Sequence, residues 1–420
     1  MVTEETGVQS TEPISLGNSI NLHVLRTVKF KTAVCCLLIR RRLNREESTK
    51  NAVLLGVLKQ GCAKFPSLMK INGRMDELYG GIFDCQIVKK GEEQIIQLYF
   101  EGVPKDRNIT DGIEFLREVL LNPLTDGEGF KREITGNAVN NVKNAIEGRI
   151  NNKTEYALNK CLAHMCEGEP FSVYADGYIE GLRGLDPERL YAHYKDILRT
   201  SPVELICAGD LDAGKLLPAA RRLDIPGRLP VNIPSAECKT ARNEPKIVSE
   251  NFQGAQTKVC LGLRSDIQPA SAEFFGLLMT NEILGGGPNS KLFTRIRDAE
   301  NLCYYINSVL YRFKSIIVIQ TGVGPGHFEH IIDAANHEIE DIRQGCVTRA
   351  EWESARLGLT AKFRGGLDHL AAILDFYTAE YLLNENNTAA DFINRVETLT
   401  LDETVRAAKR VRLDTAYEMR

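Results

Sequence analysis

One arrangement is written twice along this 420-residue chain, and that duplication limits what it can fold into. In the first copy, residues 30–38 alternate, with Phe30, Thr32, Val34, Cys36 and Leu38 on one face, as in a half-buried strand. A helical run "STKNAVLLGVLKQG" follows, with Ser48 as its expected N-cap and Gly61 as its stop. A second helix, "SLMKINGRMDELYGG", precedes two strand-like runs, "GIFDCQIVKK" and "EEQIIQLYFEGV", and a helix "ITDGIEFLREVL". In the second copy "TKVCLGLR" is the strand, and Ser271 is positioned to cap the helix "AEFFGLLMTNEIL", which Gly285, Gly286 and Gly287 end. "KLFTRIRDAENL" gives the next helix, "CYYINSVLYRF" and "SIIVIQTGV" the strand pair, and "FEHIIDAANHEIEDI" the helix after it. The punctuation matches too, with Gly102-Val103-Pro104 closing one strand pair and Gly322-Val323-Gly324-Pro325 the other.

Further on, "GLDPERLYAHYKDIL" corresponds to "TLTLDETVRAAKRV". The proline-rich, polar stretch 223–246 reads as a linker. These features predict an α+β protein of two homologous domains, 20–222 and 247–420, each an antiparallel sheet backed by helices, after a polar tail 1–19. The strand "PVELICAGD" has only "DTAYEMR" opposite it, so the last sheet is expected to be short of a full strand.

Composition narrows the function classes. Net charge is −4, which argues against nucleic acid, and the basic runs "RRRLNR" from Arg40 and "RAAKRVR" from Arg406 read as solvated faces. No apolar run is long enough to span a bilayer, and the first twenty residues lack the pattern of a signal peptide. The eleven cysteines lie mostly inside apolar runs, which suits a reducing cytoplasm. Among metal-like clusters, His327, Glu329 and His330 in "GHFEH" have the wrong histidine spacing, and Cys161, His164 and Cys166 read as a packed helix. The triple glycine is followed by Asn289-Ser290-Lys291 rather than the Gly-Lys-Ser/Thr of a phosphate loop, and reads as a helix end and hinge. No G-x-S-x-G elbow is present.

The paired plan, with "VLKQGCAKFPSLMKINGRMDELYGG" in one half and "LGGGPNSKLFTRIRDAENLCYYI" in the other, resembles the M16 metallopeptidases, the insulinase, pitrilysin and mitochondrial processing peptidase group. The likeness runs from about residue 20 onward and is nearest to the zinc-less member of a bacterial two-gene pair. In that family an H-x-x-E-H helix supplies two zinc ligands and a general base. The resemblance places these positions at Ala52, Leu55 and Gly56, and the third ligand at Asn140, seven residues after Glu133. It therefore implies no zinc in this chain. Active relatives also use an arginine and a tyrosine from the second half to hold substrate, which here fall on Arg297 and Tyr304. Seven residues is about two helical turns, so the spacing alone suggests one shared helical face.

The resemblance thus implies a subunit with no catalytic residues of its own. Paired with a zinc-bearing M16 partner as a heterodimer, it would complete a peptide-hydrolysing chamber for peptides or unfolded segments. The family also contains non-proteolytic members, so a scaffold role, including one in elongation factor P modification or another maturation pathway, is the alternative.

Overall fold

The structure, a computed structural model, describes residues 7–225, 227–252, 254 and 256–420. The chain forms two compact units, and each takes a segment from the other half of the sequence. The first comprises Met1–Gly148, Val173–Pro234 and Leu367–Ala379; the second comprises Arg149–Ser172, Ser235–Gly366 and Glu380–Arg420. The stretch Met1–Glu4, Glu5 and Thr6 of the expected tail lies outside the described residues.

In chain order, β1 (Gln9–Ser10) and β2 (Ile14–Gly17) pair with β3 (Ile20–Arg26), so the polar tail carries strands. Then come β4 (Ala33–Arg42), α1 (Arg45–Leu58), α2 (Leu68–Glu77), β5 (Ile82–Lys90), β6 (Glu93–Gly102) and α3 (Asp106–Leu121). A small hairpin, β7 (Thr125–Asp126) and β8 (Gly129–Phe130), leads into α4 (Arg132–Gly148). Helix α5 (Lys153–Met165) belongs to the second unit, and α6 (Pro187–Thr200), β9 (Val203–Gly209) and α7 (Ala213–Ala220) return to the first.

The first sheet runs β1-β3-β9-β4-β6-β5, antiparallel except for the parallel β3–β9 pair. β4 begins at Ala33, three residues after the expected start, and almost all of it is buried. It sits mid-sheet, so its sequence is continuously apolar where a half-buried strand would alternate. Cys35, Leu37 and Ile39 join Ile96, Leu98 and Phe100 of β6 in one core with Val53, Leu54, Val57 and Leu58 of α1 and Ile109, Ile113 and Leu116 of α3. Buried apolar side chains of this size each contribute about 1.5–3 kcal/mol.

In the second unit, β10 (Lys246–Glu250), β11 (Thr257–Arg264), α8 (Phe274–Asn281), β12 (Cys303–Tyr311), β13 (Ile316–Val323), α9 (Phe328–Gln344) and α10 (Arg349–Gly366) follow in order. Helix α11 (Leu370–Leu382) lies largely within the first unit, and α12 (Ala389–Glu397), α13 (Leu401–Ala408) and β14 (Arg412–Met419) complete the second. Its sheet runs β10-β14-β11-β13-β12, again with one parallel pair, β10–β14. β14 pairs along its length with β11 and over five residues with β10, so this sheet has the full strand that the sequence had suggested was cut short. Cys161, Leu162 and Met165 of α5 pack on Cys260, Val318, Tyr417 and Met419.

Several local expectations change. The cap of α1 is Asn44, whose side chain accepts from Glu47 N at 2.8 Å, while Ser48 is buried one turn inside the helix. Asn44 wins because the extended backbone it adopts lets β4 run directly into the helix. α8 starts at Phe274, and Ser271 contributes its carbonyl to Phe274 N rather than a side-chain cap. The run from Arg40 is not a solvated face: Arg40 forms a two-pronged pair with Glu93 at 2.7 and 2.8 Å, and buried Arg41 forms another with Glu47 at 2.7 and 2.9 Å. Each planar guanidinium fork matches a carboxylate, which is how strand arginines stay charged when largely buried.

Candidate functional site

Helix α1 is mostly buried, polar Ser48, Thr49 and Asn51 included. Asn51 is buried and donates to Gln94 Oε1 at 2.7 Å, while its own Oδ1 meets His193 Nε2 at 2.7 Å. Burial pushes the His193 imidazole down to about 4, so the ring is held neutral against Asn51. These bonds and the apolar side chains fix the helix that carries Ala52, Leu55 and Gly56.

Ala52 is half-buried, Leu55 is buried and Gly56 is half-buried, and none carries a donor atom. Asn140 and Glu133 are exposed on α4. At Gly56 a Cβ would stand 3.1 Å from the Cβ of Ala138, so a larger side chain there requires α4 to give way by a few tenths of an ångström. Gln60 Nε2 fastens the crossing, donating to the carbonyls of Gly56 at 2.8 Å and Ile134 at 3.2 Å. A methyl, an isobutyl group, a hydrogen and a carboxamide do not make a zinc donor set, and we derive no step through the metal. Among the described residues no group of three or more His, Cys, Asp or Glu is arranged to hold a metal ion. The "GHFEH" histidines are placed otherwise: His330 bonds Glu300 at 2.6 Å, and His327 sits at the start of α9. Cys161 and Cys166 are buried in the apolar cluster beneath α5, and His164 stacks on Tyr417.

The second site lies where α8 ends. Here the helix widens into π turns over Glu282–Gly286 and again over Phe293–Ala299, which a periodicity of 3.6 does not announce. Gly285 and Gly286 lie in the first of these turns and Gly287 is extended; a Cβ at Gly285 would meet Ser308 of β12 at 2.9–3.0 Å. Lys362 of α10 grips both oxygens of buried Glu282 at 2.7 Å and the carbonyl of Gly286 at 2.6 Å. The helical turns end at this glycine run, with a lysine clamp across it.

Arg297 is in the second π turn, and Tyr304 is on β12, reached through Asn301 in the left-handed region (φ +52°). They do not share a helical face. The turn between them brings them together instead, with the Arg297 guanidinium carbon 5.7 Å from the Tyr304 ring centre. The same guanidinium carbon lies 4.4 Å from the ring centre of Phe293. Tyr304 is 82% exposed, so its hydroxyl is available to a ligand. The pair borders an open depression of about 580 Å³, lined also by Gln256, Asp298, Cys303 and Gly322–Gly324. Phe293 escaped the sequence reading, although its spacing of four residues before Arg297 was there to be seen.

Comparisons with known proteins agree with this picture. Residues 184–359 match the family model of the Peptidase M16 inactive domain. The chain is 22% identical over 405 residues, 95% of both chains, to the probable inactive metalloprotease YmfF of Bacillus subtilis. Over 233 residues, about half of each chain, it is 24% identical to an uncharacterized zinc protease of Mycobacterium tuberculosis. A conserved protein from Enterococcus faecalis has the same fold across 98% of both chains, with 26% identity and a TM-score of 0.89. A Peptidase M16 inactive domain from Pseudomonas fluorescens superposes across 98% of both with a TM-score of 0.76 at 14% identity. With the inactive-domain match, a relative along nearly its whole length and the shared fold, the chain is a homologue of the inactive metalloproteases of the M16 family.

Proposed function

We propose that this chain is the zinc-free subunit of a heterodimeric M16 peptidase. It completes the peptide-binding chamber and supplies Arg297 and Tyr304 to the zinc site of an active M16 partner. The observation that carries the reading is the contrast between the two halves. Gly56 packs against Ala138 at a position where the family holds a ligand, while Arg297 and Tyr304 remain together and open to a ligand. An arginine and a phenol on a rigid turn are suited to hydrogen-bonding peptide carbonyls and the developing oxyanion in a neighbouring active site. In this reading the chain alone cleaves nothing, and the metal belongs to its partner.

The test is reconstitution. Mixed with a zinc-bearing M16 protein encoded beside it, the chain is expected to raise peptide hydrolysis. Arg297→Ala is expected to lower kcat/KM by about 10²-fold and Tyr304→Phe by about tenfold, with the heterodimer intact by size-exclusion chromatography. Full activity in both variants would overturn this reading in favour of a scaffold.

A further inference from the structure

Arg297 differs from the cations around it. Arg295, two residues earlier, binds Glu300 at 3.2 Å and Glu338 at 2.9 Å. Lys291 binds Glu351 at 3.1 Å and lies 3.8 Å from Glu338, and Lys362 is held by Glu282. Glu300 also takes His330. The nearby acids are thus occupied by other partners. Arg297, half-buried beside Phe293 and Tyr304, makes no hydrogen bond or ion pair among the described residues. Asp298 lines the same depression and does not pair with it.

The Phe293 and Tyr304 rings lie 4.4 and 5.7 Å from the guanidinium carbon, and no carboxylate pairs with its N–H groups among the described residues. Nearby groups add donors. Lys258 Nζ holds Gln256 Oε1 at 3.3 Å, which leaves the Gln256 amide N–H₂ as the free end of that side chain. Gly322 keeps the wall low, because a Cβ there would stand 3.0 Å from Lys258 Nζ, 3.1 Å from Gln256 Oε1 and 3.3 Å from the Tyr305 ring. An unpaired guanidinium, an exposed phenol and an amide lining one open depression are suited to a planar anion with two oxygens.

We propose that Arg297 is the core of a carboxylate-binding subsite, which selects peptides presenting a carboxylate, either the C-terminal one or an acidic side chain. The inference rests on the proposed function for taking the ligand to be a peptide. A carbonyl would use one N–H of the guanidinium, whereas a carboxylate satisfies two at once and neutralises the charge that this chain leaves without a partner.

The test uses the full chain alone, immobilised, with no zinc-bearing partner, so that its result is independent of reconstitution. Decapeptide pools randomised over all residues except Asp and Glu are applied in three forms: free C-terminal acid, C-terminal amide with Glu at the penultimate position, and C-terminal amide with Gln there. Retention of one or both carboxylate-bearing pools about tenfold above the Gln-amide pool is expected, and the two arms tell the C-terminal source from the side-chain source. The preference is expected to fall as ionic strength rises and to vanish in Arg297→Gln, with Arg297→Lys retaining part of it. Equal retention of all three pools, or a preference that survives in a folded Arg297→Gln, overturns the subsite. If reconstitution succeeds while the pools are retained equally, only the subsite falls; a carboxylate preference without reconstitution leaves the subsite and removes the subunit reading.

Discussion

Gly56 shows how a single residue sets what a helix contact can hold. A histidine there needs a Cβ where α4 already places Ala138 at 3.1 Å, at a crossing that Gln60 also fastens. Gly56→His is therefore expected to destabilise the protein by about 1–3 kcal/mol, the range for overpacking a well-filled contact. Urea unfolding with an unchanged m-value would measure it, and an unaltered midpoint would refute the close-packing account. That Ala52, Leu55 and Gly56 lack the atoms zinc ligation needs is read from residue identity alone. The packing behind them was not legible, since nothing local to "NAVLLGV" says that Ala138 lies across it. The same limit explains Arg40 and Arg41. Their partners Glu93 and Glu47 are chosen by sheet pairing and by the strand-to-helix turn, so the run looked solvated.

Elements were readable where periodicity and turn chemistry agreed. β11 came out with its expected bounds because a continuous apolar strand is ended by polar residues on both sides. The π turns around Gly285 and Arg297 were not readable, because a locally widened helix keeps much the same pattern of apolar residues. Hence the Arg297–Tyr304 spacing was noticed while its cause was misread as helical repeat. Helix α13 offers a test at this scale. Thr400 and Glu403 form a reciprocal capping box, and Arg395 also bonds Glu403 Oε1 at 2.5 Å. The Arg395 hydrogen bond, with help from the Thr400 N–H, holds the Glu403 carboxyl down at about 2, against an ordinary 4.5. A carboxylate depressed in the fold stabilises fully above its unfolded value and loses that contribution as pH falls from about 4.5 to about 2. Glu403→Gln is therefore expected to be less stable at neutral pH and to flatten the decline over that acid window. Thr400→Ala should cost about 1 kcal/mol. Chemical denaturation at several pH values would check both, and parallel acid slopes for wild type and Glu403→Gln would contradict the assignment.

At the scale of the whole chain, the duplication was legible and the exchange of segments was not. Amphipathic helices reveal that they cover a sheet, but the pattern cannot say which sheet. Residues 149–172, which precede the linker, pack in the second unit, and 367–379 pack in the first. Leu162, Met165 and Phe171 are each buried within the second unit's cluster. At about 1.5–3 kcal/mol for each such side chain, their removal forfeits roughly 5–9 kcal/mol. That is comparable with the 5–15 kcal/mol by which a domain is typically stable. The close fit at Gly262 points the same way, since a Cβ there would lie 2.5 Å from Met165 Sδ. Cutting the chain at the linker should therefore not yield two independent domains. The fragment 235–420 made alone is expected to bind a hydrophobic dye and to unfold without a cooperative transition. Produced together with 1–234, it is expected to recover both the transition and co-elution on a sizing column, because 149–172 is then supplied in trans. A fragment 235–420 that unfolds alone with the midpoint of the intact chain would show that the exchanged helix is dispensable to the second sheet.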